Sequence, residues 1–274
     1  MLAIFANLNA ASHSHKVNDL KPFTDFLSQH KIEFKLIFTD DLLDLKSKLA
    51  EQYSLGYRRY MVYGGDGSMH HFINALYCIS ADAISTVKIG IIPAGTGNDW
   101  VRNLSNDPYF SLQNYIQNKS QKLDIGKIYF QDGSVRFFFN MGGIGFNGDV
   151  IQKVEKFKFL GIFSYYFALI YSFFGYKARK LSIGIDQEKI EKNTFILSIG
   201  LGKYAGGNMK LCPNAILDDG YFDINLIEEI GLWKLVRYLH TLTDGSYLQY
   251  IDCISKRVKS LDIIQNSELY AEAD

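Results

Sequence analysis

The sequence predicts an α/β domain built on a parallel sheet over residues 1–120, followed by a mainly antiparallel, β-rich domain with inserted helices over residues 121–274. Two observations carry this. In the first half, short apolar runs alternate with segments of helical period, the pattern of a parallel sheet covered by helices on both faces. After about residue 120 strand-like runs follow one another, with hairpin signals and two mainly helical stretches between them.

Taken in order, Leu2–Ala6 reads as the first strand, and Leu20, Phe23 and Leu27 recur at helical spacing behind Asn18 or Asp19 as a cap. Ile32–Phe38 is the second strand, and Leu42, Leu45 and Leu49 mark a helix that stops near Gly56. Tyr60–Tyr63 is the third strand, Met69, Phe72, Ile73 and Leu76 the next helix, and Val87–Ile92 the fourth strand. Beyond the texture change, Lys122–Phe130 and Val135–Phe139 flank Gln-Asp-Gly-Ser, a hairpin signal. Further strands are expected at Leu181–Ile185, Thr194–Leu201, Tyr221–Ile227 and Val258–Ile264, with helices near 147–176 and 231–244.

Lysine and arginine total 29, as do aspartate and glutamate, so the net charge is zero and bulk electrostatic binding of nucleic acid is not expected. Apolar residues make up 47% and charged residues 21%, which excludes disorder over most of the chain. Cys78, Cys212 and Cys253 are few and widely spaced, and suit neither a disulfide framework nor a cysteine zinc site. The amino terminus has no basic region before its apolar run and reads as a strand, so a reducing cytoplasm is expected. Phe159–Tyr176 carries no charge and barely reaches spanning length, yet it holds serines, glycines and four tyrosines with basic residues at both ends. A helix buried in the second domain is expected there, or an aromatic surface that touches a bilayer.

Chemistry concentrates in two loops. Tyr63-Gly64-Gly65-Asp66-Gly67-Ser68 lies directly between a strand and a helix. Its glycines let a ligand approach the backbone, and the helix start suits a phosphate. Asp66 cannot bind an anion, so beside phosphates it more naturally holds magnesium; the simpler reading is a tight turn with a capping Asp or Ser. Ile91-Ile92-Pro93-Ala94-Gly95-Thr96-Gly97-Asn98-Asp99 again follows a strand with small residues and a helix start. In a parallel sheet both loops lie at the carboxyl edge, where ligands bind. Asn98 and Asp99 have helix capping as their simpler role.

These two loops resemble the nucleotide signatures of the diacylglycerol kinase catalytic-domain family. The resemblance continues in order through Leu123-Asp124-Ile125-Gly126, Asn140 to Phe146, Gly206-Gly207, Cys212-Pro213-Asn214-Ala215 and Leu217 to Asp223. It implies ATP bound between a nucleotide domain and a β-sandwich. By the same resemblance Gly64, Gly65, Asp66, Gly67, Ser68, Met69, His70 and Thr96 line the nucleotide, with Asn98 in the second loop and Thr39 near the adenosine. Asp66 and Asp124 would hold a catalytic Mg2+ through water, and Asp219 with the carbonyls of Ile216 and Tyr221 a structural metal. The implied activity is transfer of phosphate from ATP to a lipid hydroxyl, with diacylglycerol the expected substrate and the inner face of the membrane the expected place. The protein would be cytoplasmic and peripheral, a homodimer is compatible with this, and no nucleic acid partner is implied.

Two departures stand out. The family's first loop reads Asn-Pro-x-x-Gly, whereas this chain has Asn7-Leu8-Asn9-Ala10-Ala11, which weakens the expected phosphate contacts of Asn7 and Asn9. The family also places Asp-Gly-Glu near its carboxyl terminus, its glutamate being the base. Asp274 resembles the aspartate of that motif, and the glutamate is not among the 274 residues. The alternative is therefore a nucleotide-binding protein with little or no kinase activity. His70 and His71 are expected on the surface or in capping roles, His13 and His15 in loop solvation, and the helix Trp233–His240 in core packing.

Overall fold

The structure is a computed structural model that describes residues 1–7, 16–80, 82–95, 97–154, 156–157, 164–185, 188–264 and 271–274. The chain divides into two compact units, Met1–Lys122 with Lys127–Phe137, and Leu123–Gly126 with Phe138–Asp274.

Unit one runs β1 (Leu2–Asn7), α1 (Lys16–Gln29), β2 (Phe34–Thr39), α2 (Leu42–Ser54), β3 (Arg59–Gly64), α3 (Asp66–Ile79), α4 (Ala83–Thr86), β4 (Lys88–Pro93), α5 (Asp99–Leu104) and α6 (Phe110–Ile116). Its sheet has the order β2-β1-β3-β4, and every neighbouring pair is parallel. β1 is buried on both faces, as a central parallel strand must be. Leu2, Ile4 and Ala6 face a core shared with Leu20 and Leu27 of α1 and Leu112 of α6. On the alternate positions Phe5 packs against Tyr60 and Phe72, with ring centroids 6.0 and 5.3 Å away. Asp41 caps α2 by accepting the Asp44 amide at 2.8 Å. The expected hairpin forms as β5 (Gly126–Tyr129) and β6 (Val135–Phe138). Asn74 of α3 holds β6 by exchanging two hydrogen bonds with the backbone of Phe137, both 2.9 Å.

Unit two runs β7 (Met141–Gly145), α7 (Phe146–Val154), α8 (Ser164–Gly175), β8 (Arg179–Ile185), β9 (Glu188–Thr194), β10 (Ile196–Gly200), β11 (Tyr204–Ala205), β12 (Met209–Lys210), β13 (Phe222–Ile227), α9 (Leu232–Tyr238), β14 (Ile254–Val258), β15 (Leu261–Ile264) and β16 (Ala271–Ala273). Antiparallel pairing builds a sheet of order β14-β13-β10-β7-β16 and a second of order β15-β8-β9. Leu181, Ile183 and Ile185 of the second sheet share a core with Ile144, Leu197, Ile224 and Leu226 of the first, which makes a sandwich. A separate core joins Phe146 and Val150 of α7, Ala168 and Leu169 of α8 and Leu235 of α9 to Phe195 and Ile227.

Three sequence expectations change. Val258–Ile264 is not one strand: β14 ends at Val258 and pairs with β13, whereas β15 starts at Leu261 and pairs with β8 in the other sheet. β9 was not foreseen, because Glu188, Lys189, Glu191 and Lys192 leave only Ile190 to suggest a strand; such charge protects the free edge it forms. In α9 Leu235 joins the core as expected, but Trp233 is 87% exposed, since seven helical residues bury only one side.

Candidate functional site

The two glycine loops of unit one meet backbone to backbone. The Ala94 amide donates to the Gly64 carbonyl at 3.0 Å, which extends the β3–β4 ladder past the strand ends. A Cβ on Gly95 would lie 2.7 Å from Gly65 Cα, so a side chain there would drive the loops apart. Asn98 adopts a left-handed conformation (φ +51°), and its side chain accepts from the Gly95 amide at 3.1 Å and donates to the Gly95 carbonyl at 2.7 Å.

Asp66 opens α3 and reaches across to α5. Its Oδ2 accepts the Asp99 amide and its Oδ1 the Trp100 amide, both at 2.9 Å. One carboxylate thereby satisfies two of the amides that a helix start leaves unpaired. Capping, the simpler sequence reading, is thus real, but it acts on a helix 33 residues away. Asp99 in turn pairs with Arg102 at 2.7 Å.

Beside these loops a cleft opens at the carboxyl edge of the sheet, lined by Asn7 at the end of β1, Thr39 at the end of β2, Tyr63 of β3, Asp41, Ser68 and His71. The chain passes from β1 outward to β2 and then back to β3 on the other side of β1, so this is the switch point where ligands bind in open α/β sheets. The structure thus gathers Asn7, Thr39 and Ser68 in one place, next to Gly64, Gly65 and Asn98. The Met69 side chain is buried and is not among the residues lining the cleft. Gly67 is exposed in the first turn of α3. The His70 ring lies 3.4 Å from Asn74 Nδ2 and 5.7 Å, centroid to centroid, from the His71 ring, and is not itself among the cleft-lining residues. Asn9, Thr96, His13 and His15 lie outside the described residues.

His71, expected on the surface or in a capping role, lines the cleft, and so does Asp41, which no motif in the sequence singles out. His71 follows Ser68 by one helical turn, a spacing that places both on one face, and this is the signal that was available. Burial holds the His71 imidazole below its ordinary pKa, aided by His70 and Arg136. Native His71 therefore binds fewer protons than the unfolded chain. Its contribution to stability is complete above the unfolded value of about 6.5 and is lost as the pH falls through the lowered native value. His71→Gln is expected to flatten the fall in Tm between neutral and mildly acidic pH; an unchanged slope would remove His71 as its source.

In unit two the Asp124 amide donates to the Leu217 carbonyl, and Asp124 Oδ2 accepts the Gly220 amide, each at 2.7 Å. Asp124 therefore clamps the Asp218-Asp219-Gly220 turn, in which Gly220 has φ +76°. Asp219 Oδ1 accepts the Tyr221 amide at 3.1 Å. Asp219 Oδ2 is buried without a hydrogen bond, and Arg257 Nη1 faces it at 3.2 Å, within ion-pair range but not in hydrogen-bond geometry. The set of Asp219, Ile216 and Tyr221 expected to hold a metal does not fit a divalent ion as placed, because a guanidinium already stands against its one carboxylate. Asp274, exposed just past β16, accepts the amides of Phe139, Asn140 and Met141 at 2.9 to 3.1 Å.

Fold and loops together define a parallel α/β unit with paired glycine loops at its carboxyl edge, followed by a β-sandwich unit. Residues 1–128 match the diacylglycerol kinase catalytic domain, and residues 142–274 match the YegS C-terminal NAD kinase beta sandwich-like domain. The chain belongs to the diacylglycerol kinase catalytic-domain family. It is 25% identical over 254 residues to a protein of Mycobacterium tuberculosis (strain H37Rv) named diacylglycerol kinase, covering 90% of this chain and 80% of that one. It is 29% identical over 215 residues to one of the same name from Staphylococcus aureus (strain Newman), covering 77% of this chain and 65% of that one. It shares its fold with the crystal structure of a diacylglycerol kinase from Bacillus anthracis str. Sterne, with TM-score 0.69 and 18% identity, covering 99% of this chain and 88% of that one.

Proposed function

We propose that the protein is an ATP- and Mg2+-dependent lipid kinase that converts diacylglycerol to phosphatidic acid at a membrane surface. The observation that carries this reading is the pair of glycine loops joined at Gly65 and Gly95 beside a cleft at the sheet's switch point. Backbone amides of the loops and the start of α3 suit the phosphates, while Asn7, Thr39 and Asp41 offer polar groups to the nucleoside. Asp66 is the carboxylate proposed to hold Mg2+ through water. When bound, the ion would neutralise charge on the transferring phosphate; the chain's own part is to fix the phosphates in line with the hydroxyl.

Radiolabelled ATP supplied with mixed micelles of diacylglycerol tests the reading. Labelled phosphatidic acid that depends on Mg2+ is expected. ATP binding without any labelled phosphatidic acid would favour the alternative, a nucleotide-binding protein without transfer.

Contact with the membrane is assigned to α8. Among the described residues no helix is long and apolar enough to cross a bilayer. Yet Phe167, Ile170, Tyr171 and Phe174 recur at helical spacing on one exposed side of α8, Phe174 at 75%, while Ala168 and Leu169 are buried on the other. Lys177, Arg179 and Lys180 follow directly in the chain, a composition that suits an anionic lipid surface. Replacing Tyr171 and Phe174 together by Glu is expected to weaken retention on anionic vesicles about tenfold or more. ATP affinity should not change, and equal retention would move the contact elsewhere.

A further inference from the structure

We propose that Arg257 is the built-in cation of the Asp218-Asp219-Gly220 turn that leads into β13, standing where the family resemblance would put a structural metal, so that unit two keeps this turn without a divalent ion. Register fixes the arginine: Arg257 on β14 lies directly opposite Asp223 on β13, and a cross-strand pair of opposite charge stabilises such a position. Each terminal part of its guanidinium then meets a different oxygen. Nε donates to Asp223 Oδ2 at 3.3 Å, Nη2 donates to the Asn214 carbonyl at 3.0 Å, and Nη1 lies 3.2 Å from Asp219 Oδ2.

Two carboxylates and one carbonyl around a single positive centre make the donor set that a hard cation would otherwise take. The planar fork of an arginine can address all three at once, which a lysine ammonium cannot do in the same directions. Asp219 Oδ2 is buried and has no hydrogen bond, so Arg257 is the group that offsets its charge. A divalent ion placed at Asp219 would meet the guanidinium at close range and be repelled. The inference is independent of phosphoryl transfer, and its test uses neither nucleotide nor lipid.

The experiment measures Tm and bound metal for the full chain, with excess EDTA, with Mg2+ and with Ca2+. The native protein is expected to keep its Tm within about 1 °C in all three and to retain no stoichiometric metal after chelation. Arg257→Met is expected to lower Tm by about 3 °C or more in EDTA, and Mg2+ or Ca2+ should restore part of that loss. In the double variant Arg257→Met with Asp219→Asn the restoration should vanish. A native Tm that falls in EDTA and recovers with metal overturns the proposal, because the ion and not the arginine would then hold the turn. So does an Arg257→Met protein as stable as the native one, or one whose loss no cation restores.

Discussion

Asp66→Asn is expected to cost about 2–4 kcal/mol of stability, since two charge-assisted hydrogen bonds from the Asp99 and Trp100 amides are at stake. An asparagine has one carbonyl oxygen where the carboxylate has two, so its amide group would point a donor at a donor. For a chain of this size the loss corresponds to a fall of roughly 5–12 °C in Tm. Transfer to lipid should fall further than folding alone explains, by about a hundredfold or more at a temperature where the variant is still folded. Thermal denaturation and the labelled-lipid assay read the two effects separately. A variant that loses stability but keeps full activity would confine Asp66 to capping α5. One that keeps its Tm would show that the capping bonds matter little.

Gly95→Ala is expected to be the more disruptive change per atom added. Its Cβ would lie 2.7 Å from Gly65 Cα, 3.0 Å from Asn98 Oδ1 and 3.3 Å from the Gly65 nitrogen. The first and last of these are backbone atoms and cannot rotate away, so the second loop must shift. Such overpacking costs about 1–3 kcal/mol. The larger effect should fall on ATP, whose affinity is expected to drop about tenfold or more as the amides leave their alignment. Equilibrium binding of ATP to the variant checks this. Gly231→Ala, outside the cleft lining, serves as the control, because nothing lies within 4 Å of a Cβ there. Equal ATP affinity in Gly95→Ala and the native protein would place the phosphates away from this contact.

The parallel half was the legible half. β1 to β4 lie where the apolar runs put them, most clearly the central β1 and β3, since a strand buried on both faces has to be continuously apolar. The antiparallel half was less open. β7 reads Met-Gly-Gly-Ile-Gly, with Ile144 as its single β-branched residue among three glycines, yet it is an interior strand of its sheet between β10 and β16. β9 hid behind its charges for the opposite reason, as an edge. In the site the loops could be found from composition because glycine and small residues are needed locally. The hydrogen bonds of Asp66 and the pairing of Arg257 with Asp219 could not, because each joins residues far apart in the chain through sheet closure. For His71 the sequence suggests a surface or capping role rather than the cleft, because a histidine in a helix carries no mark of which side will be covered.

The split of the Val258–Ile264 run has a bearing on chain length. Lys259 and Ser260 are the only residues between a strand of one sheet and a strand of the other. Strand β15 turns Leu261 and Ile263 toward the sandwich core and leaves Asp262 and Ile264 more exposed. Because side chains alternate, one residue added at this corner would exchange the two sets and bring Asp262 inward. The corner therefore works as a phase lock: two layers with separate hydrogen-bond networks must be counted from the same two residues.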